Sequence, residues 1–411
     1  MTSNSPESQD RRRLRAAVIG SGFLGPHHVD AIRRGGYADV VVLAGHTAAH
    51  VESKAAALGL ERWTTDVDSV IGDPAIDVIH VCTRNTSHVP LGEAALRAGK
   101  HVVMEKPLAV DSAGAARLVA AAQAADRHAA TTFTYRGYPM LRKARALVAA
   151  GELGEVHLAG GAYLQDWLAE ETDWNWRVDP AEGASRAVAD IGVHWFDTLE
   201  FVSGLRVQAV FADLATFLAS RQRPAAEVEA FGSVAGPTET VRIESEDAAA
   251  IVMRLTGGAR AVCLVSQVSP GRKNGFTLEL GGSLRSLAWD QEQPERLWLG
   301  SRREPARLIA RDPAEGYRTP GVPPLPAGHP EAWSDALRDL LRPFYAAVAS
   351  GVPPSAVAAA PTDAASVGSI ARSSSNLPRS DTYPTFADGA RAVRFVEAVV
   401  ESARGERWAD L

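Results

Sequence analysis

A lysine, an aspartate and a histidine are the residues of this chain best suited to chemistry. Glu105-Lys106-Pro107 directly follows the apolar run 101–104. Pro107 confines Lys106 to an extended backbone, so its ammonium is aimed rather than loose. A partly desolvated ammonium can bond a substrate hydroxyl and stabilise the alkoxide that precedes loss of hydride. A surface lysine between strand and loop fits the same spacing. Asp190 and His194 stand four apart in ADIGVHWFDTLEFV. On a helix that spacing puts both on one face. A carboxylate beside an imidazole orients the ring and raises its pKa, which suits a proton acceptor near neutrality. Ile191, Val193, Trp195 and Phe196 would keep the pair dry. An N-cap aspartate with a satisfied core histidine would leave the same trace. Trp174, Asn175, Trp176 and Arg177 follow shortly after Tyr163, Gln165, Asp166 and Trp167. Aromatic faces with planar polar groups are what a carbohydrate site uses, and a buried aromatic contact patch reads alike.

Such residues need a frame, and the glycine pattern supplies one. The run 14–19 is apolar enough for a parallel strand covered on both faces. Gly20, Ser21, Gly22, Phe23, Leu24 and Gly25 then spell G-x-G-x-x-G, with Pro26 suited to a first helical turn. Gly20 permits the tight turn, Gly22 lets a pyrophosphate approach the backbone, and Gly25 lets helix and strand pack closely. The free N–H groups and dipole of the helix start form an anion site. The second strand, 40–43, ends in Ala44, Gly45, His46 and Thr47, with no carboxylate between Asp39 and Glu52. An NAD site commonly has an acidic residue there. Its absence leans the reading towards NADP, with NAD lacking that anchor as the alternative.

The strand 77–82 places Thr83, Arg84, Asn85 and Thr86 at the ligand-facing end of a parallel sheet. Strands at 101–104 and 130–134 alternate with helices at 89–98 and 112–125, the rhythm of a doubly wound sheet. From residue 136 the rhythm changes to a helix at 139–150 and then successive strands between 156 and 299. That pattern predicts a large, mainly antiparallel open sheet. The expected organisation is therefore a polar, disordered tail over 1–11, a dinucleotide-binding α/β domain over 12–135, and an α+β substrate and oligomerisation domain over 136–411. Within the last, 353–380 reads as a flexible insert and 388–404 as a closing helix with Val393, Val396 and Val400 on one stripe.

A length of 411 residues gives room for two cores. A net charge of −6 argues against general affinity for nucleic acid or anionic membrane. Cys82 and Cys263 read as buried thiols in a reducing compartment, and the eleven histidines show no zinc spacing. Arg11, Arg12 and Arg13 superficially suggest an export signal. The apolar run after them is the strand that feeds the glycine turn, so a cytoplasmic protein is expected.

Together, GSGFLGPHH at 20–28, CTRNTSH at 82–88, GKHVVMEKP at 99–107, FTYRGYP at 133–139 and DIGVHWFD at 190–197 resemble the family of glucose–fructose oxidoreductase, inositol dehydrogenase and the rhizopine-catabolism oxidoreductases. The resemblance implies nicotinamide-linked oxidation of a sugar or cyclitol hydroxyl, or the reverse, in a homodimer or homotetramer built through the open sheet. It implies His194 as proton acceptor, Asp190 as its partner and Lys106 as the polarising group. Gly20, Gly22, Phe23, Leu24, Gly25, Gly45, His46, Thr47, Thr83, Arg84, Asn85, His88, Glu105, Lys106, Trp176 and Arg177 would line the cofactor. Tyr135, Arg136, Trp167, Trp176 and Arg177 would join the catalytic trio around substrate, and the Lys106–Pro107 bond would be cis. Arg84 stands where the family usually has proline, and Thr134 where it often has asparagine. Two other outcomes are compatible: glycoside cleavage through transient oxidation with recycled cofactor, and a non-catalytic dinucleotide-binding regulator.

Overall fold

Apolar runs of four to seven residues alternate with amphipathic helices in the first third of the chain, and they fold as that alternation requires. The computed structural model describes residues 12–179, 182–225, 236–312, 325–355 and 383–411. The tail 1–11, and the insert from residue 356 on, lie outside the described residues.

Strands β1 (Leu14–Ile19), β2 (Ala38–Ala44), β3 (Trp63–Thr64), β4 (Val78–Val81), β5 (His101–Met104) and β6 (Ala129–Thr131) form one parallel sheet in the order β3-β2-β1-β4-β5-β6. Helices α1 (Leu24–Gly35), α2 (Ala48–Ala57), α3 (Val67–Gly72), α4 (His88–Arg97) and α5 (Ser112–Ala125) make the crossovers. Val78, Ile79 and Val81 are wholly buried, as a strand covered on both faces demands. The loops after β1, β2, β4 and β5 therefore emerge together at the carboxyl edge, where such sheets bind ligands.

After α6 (Pro139–Ala149) the chain builds a second sheet. Its strands are β7 (Val156–Leu164), β8 (Val207–Ala215), β11 (Ala248–Leu255), β12 (Arg260–Ser266), β13 (Gly275–Gly282), β14 (Arg285–Asp290), β15 (Arg296–Ser301), β16 (Arg307–Ala310) and β17 (Ala409–Asp410). The order is β16-β15-β14-β13-β7-β12-β11-β8-β17, and only β7 and β12 pair in parallel. A separate ribbon joins β9 (Ser220–Pro224) to β10 (Thr238–Arg242). The sequence does not announce this ribbon, because SRQRP and TETVR lack an apolar alternation.

One face of the large sheet packs on α6 and α7 (Val193–Ser203), with Trp195, Phe196, Phe276 and Trp289 in the core. Two late helices return to the first sheet. Helix α8 (Trp333–Ser350) puts Leu337, Leu340, Leu341, Phe344 and Tyr345 into a core shared with Ala16, Val18 and Val29. Helix α9 (Phe386–Gly405) contributes Phe395 and Val399 to the large-sheet core, and Phe386 and Val393 to the core beside α5. No helix among the described residues is long and apolar enough to cross a membrane.

Candidate active site

The glycine turn has the shape its residues predict. Gly20 has φ +114°, and a Cβ there would sit 2.3 Å from the Cys82 carbonyl oxygen. A Cβ on Gly25 would sit 2.0 Å from the Gly20 carbonyl oxygen. Gly22 differs, because a Cβ there would meet nothing within 4 Å. Among the described residues no protein atom demands glycine at 22, whereas a phosphate group approaching the backbone would. Gly45, after β2, lies against Ser21 of the turn, and His46 and Thr47 are exposed beside it. The donor set of the turn thus fits a dinucleotide. The lean towards NADP gains no support, since the chain has no Arg or Lys from Gly45 to Ser53 to meet a ribose phosphate.

Lys106 emerges after β5, and its bond to Pro107 is cis. Its Nζ donates to Asp190 Oδ1 and to the Asp190 carbonyl oxygen, each at 2.7 Å. Asp190 sits in a π-helical turn, Val188–Gly192, that runs into α7. Its carboxylate also accepts from Gln267 Nε2 at 2.7 Å and faces Arg177 Nε at 3.1 Å. Burial opposes ionisation of Asp190, but the Lys106 ammonium and Arg177 guanidinium outweigh it and hold its pKa below the usual carboxylate range. Lys106, Asp190 and His194 thus meet at one place.

The arrangement among them differs from the expected one. The carboxylate of Asp190 is taken by Lys106, Arg177 and Gln267, and His194 Nδ1 is buried without a hydrogen-bond partner. The π turn breaks the α-helical repeat on which a direct Asp190–His194 pair depends. The imidazole pKa is likewise not raised. Burial and then the Lys106 ammonium lower it to about 3, against a weaker pull from Asp190. His194 is a neutral base whose Nε2 is the nitrogen left for the site.

Other residues expected at the site have protein partners of their own. Arg136 is buried and holds Asp197 and Asp388 with its guanidinium, so it ties the turn before α6 to α7 and α9. Tyr135 is buried, donates to the Tyr163 hydroxyl at 2.8 Å, and backs the His194 ring at 5.2 Å between centroids. His88 is wholly buried. Its Nδ1 lies 2.8 Å from the Pro107 carbonyl oxygen and its Nε2 3.2 Å from that of Thr83, which ties two site loops together. Glu105 is also buried, and bonds His28 at 2.8 Å. Asn85 gives its amide to the Glu182 carbonyl oxygen at 3.0 Å, and Thr83 accepts from Ser87 at 2.6 Å. Phe23, Leu24 and Arg84 stay at the edge where the loops converge. Trp176 lies under the Arg177 guanidinium at 4.2 Å. Trp167 donates to Gln165 Oε1 at 3.0 Å, and Gln165 in turn donates to Asn274 at 2.9 Å.

Sequence reasoning missed Gln267, Glu246 and Asn274. Glu246 accepts from the Ser185 hydroxyl at 2.6 Å and from the backbone N–H groups of Arg186 and Val188, so it caps the turn that carries Asp190. A lone Gln or Glu at a strand end carries no periodic signal, and only tertiary contact reveals such a role.

Comparison with known proteins matches residues 14–133 to an oxidoreductase family with an NAD-binding Rossmann fold, and residues 141–288 to the GFO/IDH/MocA C-terminal domain. Levoglucosan dehydrogenase of Pseudarthrobacter phenanthrenivorans is 28% identical over 97% of this chain and 98% of its own. An oxidoreductase domain protein from Kribbella flavida superposes with a TM-score of 0.81 at 30% identity, covering 97% of this chain and 99% of the other. A levoglucosan dehydrogenase in complex with NADH and levoglucosan gives a TM-score of 0.81 at 26% identity, with 97% and 99% covered.

Proposed function

The chain belongs to the GFO/IDH/MocA oxidoreductase family, and on that premise we propose that it moves hydride between NAD(H) and a CH–OH carbon of a sugar, anhydrosugar or cyclitol. The observation that carries this reading is the clamp of Lys106 and Arg177 on Asp190 beside a neutral His194. The relatives that resemble the chain over its full length include a levoglucosan dehydrogenase and an NADH complex of one. Residues of the turn 20–25 would hold the pyrophosphate, and the loops after β4 and β5 would flank the nicotinamide. NAD supplies, when bound, the ring carbon that takes or returns hydride.

The protein's own part is proton handling and charge. An ammonium has three donors, and Asp190 takes two of those on Lys106. The third is free to bond the substrate oxygen and stabilise negative charge as it develops. His194 Nε2 accepts the hydroxyl proton. Its neutral state in the free site means the lone pair is available at any physiological pH. Asp190 keeps Lys106 aimed, while Tyr135 and Phe133 pack against the His194 ring. The exposed outer face of the large sheet would be covered by a second copy of the chain.

Purified protein should reduce NAD+ with at least one member of a panel of pyranoses, anhydrosugars and inositols, and prefer NAD+ to NADP+. Lys106→Ala should lower kcat by roughly 10²–10³-fold. Full activity in that variant would remove the assigned role of the lysine.

A further inference from the structure

Four buried side chains form a line that begins behind the lysine-bearing turn and ends in α8. Glu105 Oε1 lies 2.8 Å from His28 Nε2, His28 Nδ1 lies 2.8 Å from His80 Nδ1, and His80 Nε2 lies 2.7 Å from the Tyr345 hydroxyl. Both rings are 0% exposed, and Glu105 and Tyr345 are buried with them. The members come from α1, β4, the end of β5 and α8, so no local sequence pattern could show the line.

Counting protons leaves one polarity. Among the described residues the Tyr345 hydroxyl has His80 as its hydrogen-bond partner and no other. If it accepted from His80, its own proton would be buried unpaired. Tyr345 therefore donates, and His80 Nε2 accepts. A neutral His80 then carries its proton on Nδ1 and donates it to His28 Nδ1. His28 in turn holds its proton on Nε2, aimed at Glu105, which can only accept. A protonated Glu105 would aim a second proton at His28 Nε2, or force two N–H groups together at the His28–His80 contact. The Tyr345 end offers no exit, so the line is a lock and not a proton wire.

We propose that Tyr345 and His80 are positioning residues of the hydride-transfer site: acting through His28, they hold Glu105 as an oriented, acceptor-only carboxylate at the turn that presents Lys106. The proposal rests on the oxidoreductase reading above. Glu105 Oε2 faces the Lys106 backbone N–H at 3.3 Å. The titratable groups that feel its charge are His28 on α1, Cys82 after β4, His88 on α4, Lys106 itself and His194 on α7. Burial opposes ionisation of Glu105. The hydrogen bond from His28, with Thr132 and the Lys106 ammonium, outweighs burial and holds its pKa below the usual carboxylate range.

Two measurements on the purified full chain decide it. In ¹⁵N spectra of the histidine rings, assigned with His28→Gln and His80→Gln, His28 should be protonated on Nε2 alone and His80 on Nδ1 alone at neutral pH. A proton on His28 Nδ1, or on both of its nitrogens, overturns the lock. Tyr345→Phe keeps the ring and removes the hydroxyl. It should release the fixed His80 tautomer and lower kcat at neutral pH by about tenfold with KM little changed, because Lys106 is then presented less exactly to the reacting oxygen. An unchanged kcat overturns the positioning role even if the tautomers are as stated. The ring spectra need no substrate. If no sugar is turned over, or if Tyr345→Phe does not fold, the wild-type tautomers still decide the lock, separately from the fate of the hydride-transfer reading.

Discussion

At the scale of single residues, burial of histidine dominates the chemistry. His80, His88, His101 and His194 all have pKa values lowered from 6.5, with burial the largest cause in each and with His101 and His194 brought to about 3. The unfolded chain takes up protons below pH 6.5 that these folded rings refuse. Their contribution to stability is therefore complete above pH 6.5 and is lost as pH falls from there towards 3. Glu105, lowered from 4.5 to about 2, acts in the same sense at lower pH: its stabilisation is present above 4.5 and lost as pH falls towards 2. Urea midpoints should be level between pH 8 and 7 and should decline in steps below 6.5. A midpoint unchanged from pH 7 to 5 would show that these rings are not buried neutral in solution. The same lesson applies at the catalytic aspartate. Four residues of spacing place Asp190 near His194, yet the carboxylate goes to the nearest cations, because two full charges outbid a neutral imidazole.

At the scale of elements, the turn between β1 and α1 separates structural from functional glycine. Gly25→Ala drives a Cβ into the Gly20 carbonyl, backbone against backbone, so something must shift. That variant should lose several degrees of Tm. Gly22→Ala adds a methyl to open space. It should leave Tm unchanged and raise the Kd for NADH by about tenfold or more, since the methyl occupies the approach to the phosphates. Thermal melts and NADH fluorescence titrations distinguish the two. Tight NADH binding by Gly22→Ala would sink the reading of the loop as a phosphate cradle. The π turn before α7 is the second device of this kind. Glu246 caps it, and it presents Asp190 to Lys106 from a segment that the sequence reads as plain helix.

At the scale of the whole molecule, the described residues cover the large sheet on one side only. On the other, Leu158, Val262, Leu264, Trp298 and Leu308 from four strands are exposed, with Leu158 and Leu308 at 61% and Leu264 at 51%. An apolar surface of that extent supports the proposed pairing with a second copy. The protein should run in solution as a multiple of 43.6 kDa. Leu264→Glu should shift it towards monomer without changing its circular dichroism. A monomeric wild type at micromolar concentration would contradict this. The opposite end of the molecule is closed by its own chain, where α8 and α9 seal the first sheet and join its core to that of the second.

The glycine turn, the alternation of strand and helix, and the turn bearing Lys106 were legible in the sequence, because each is a local pattern whose physics acts over a few residues. The trio was legible as a set of residue types. Its connections were not: which partner Asp190 takes, which way the His194 pKa moves, which partners Arg136 and His88 hold. Charge pairing and desolvation depend on what lies within a few ångströms in space. Gln267 and Glu246 arrive there from 77 and 56 residues beyond Asp190, a distance along the chain over which spacing carries no information.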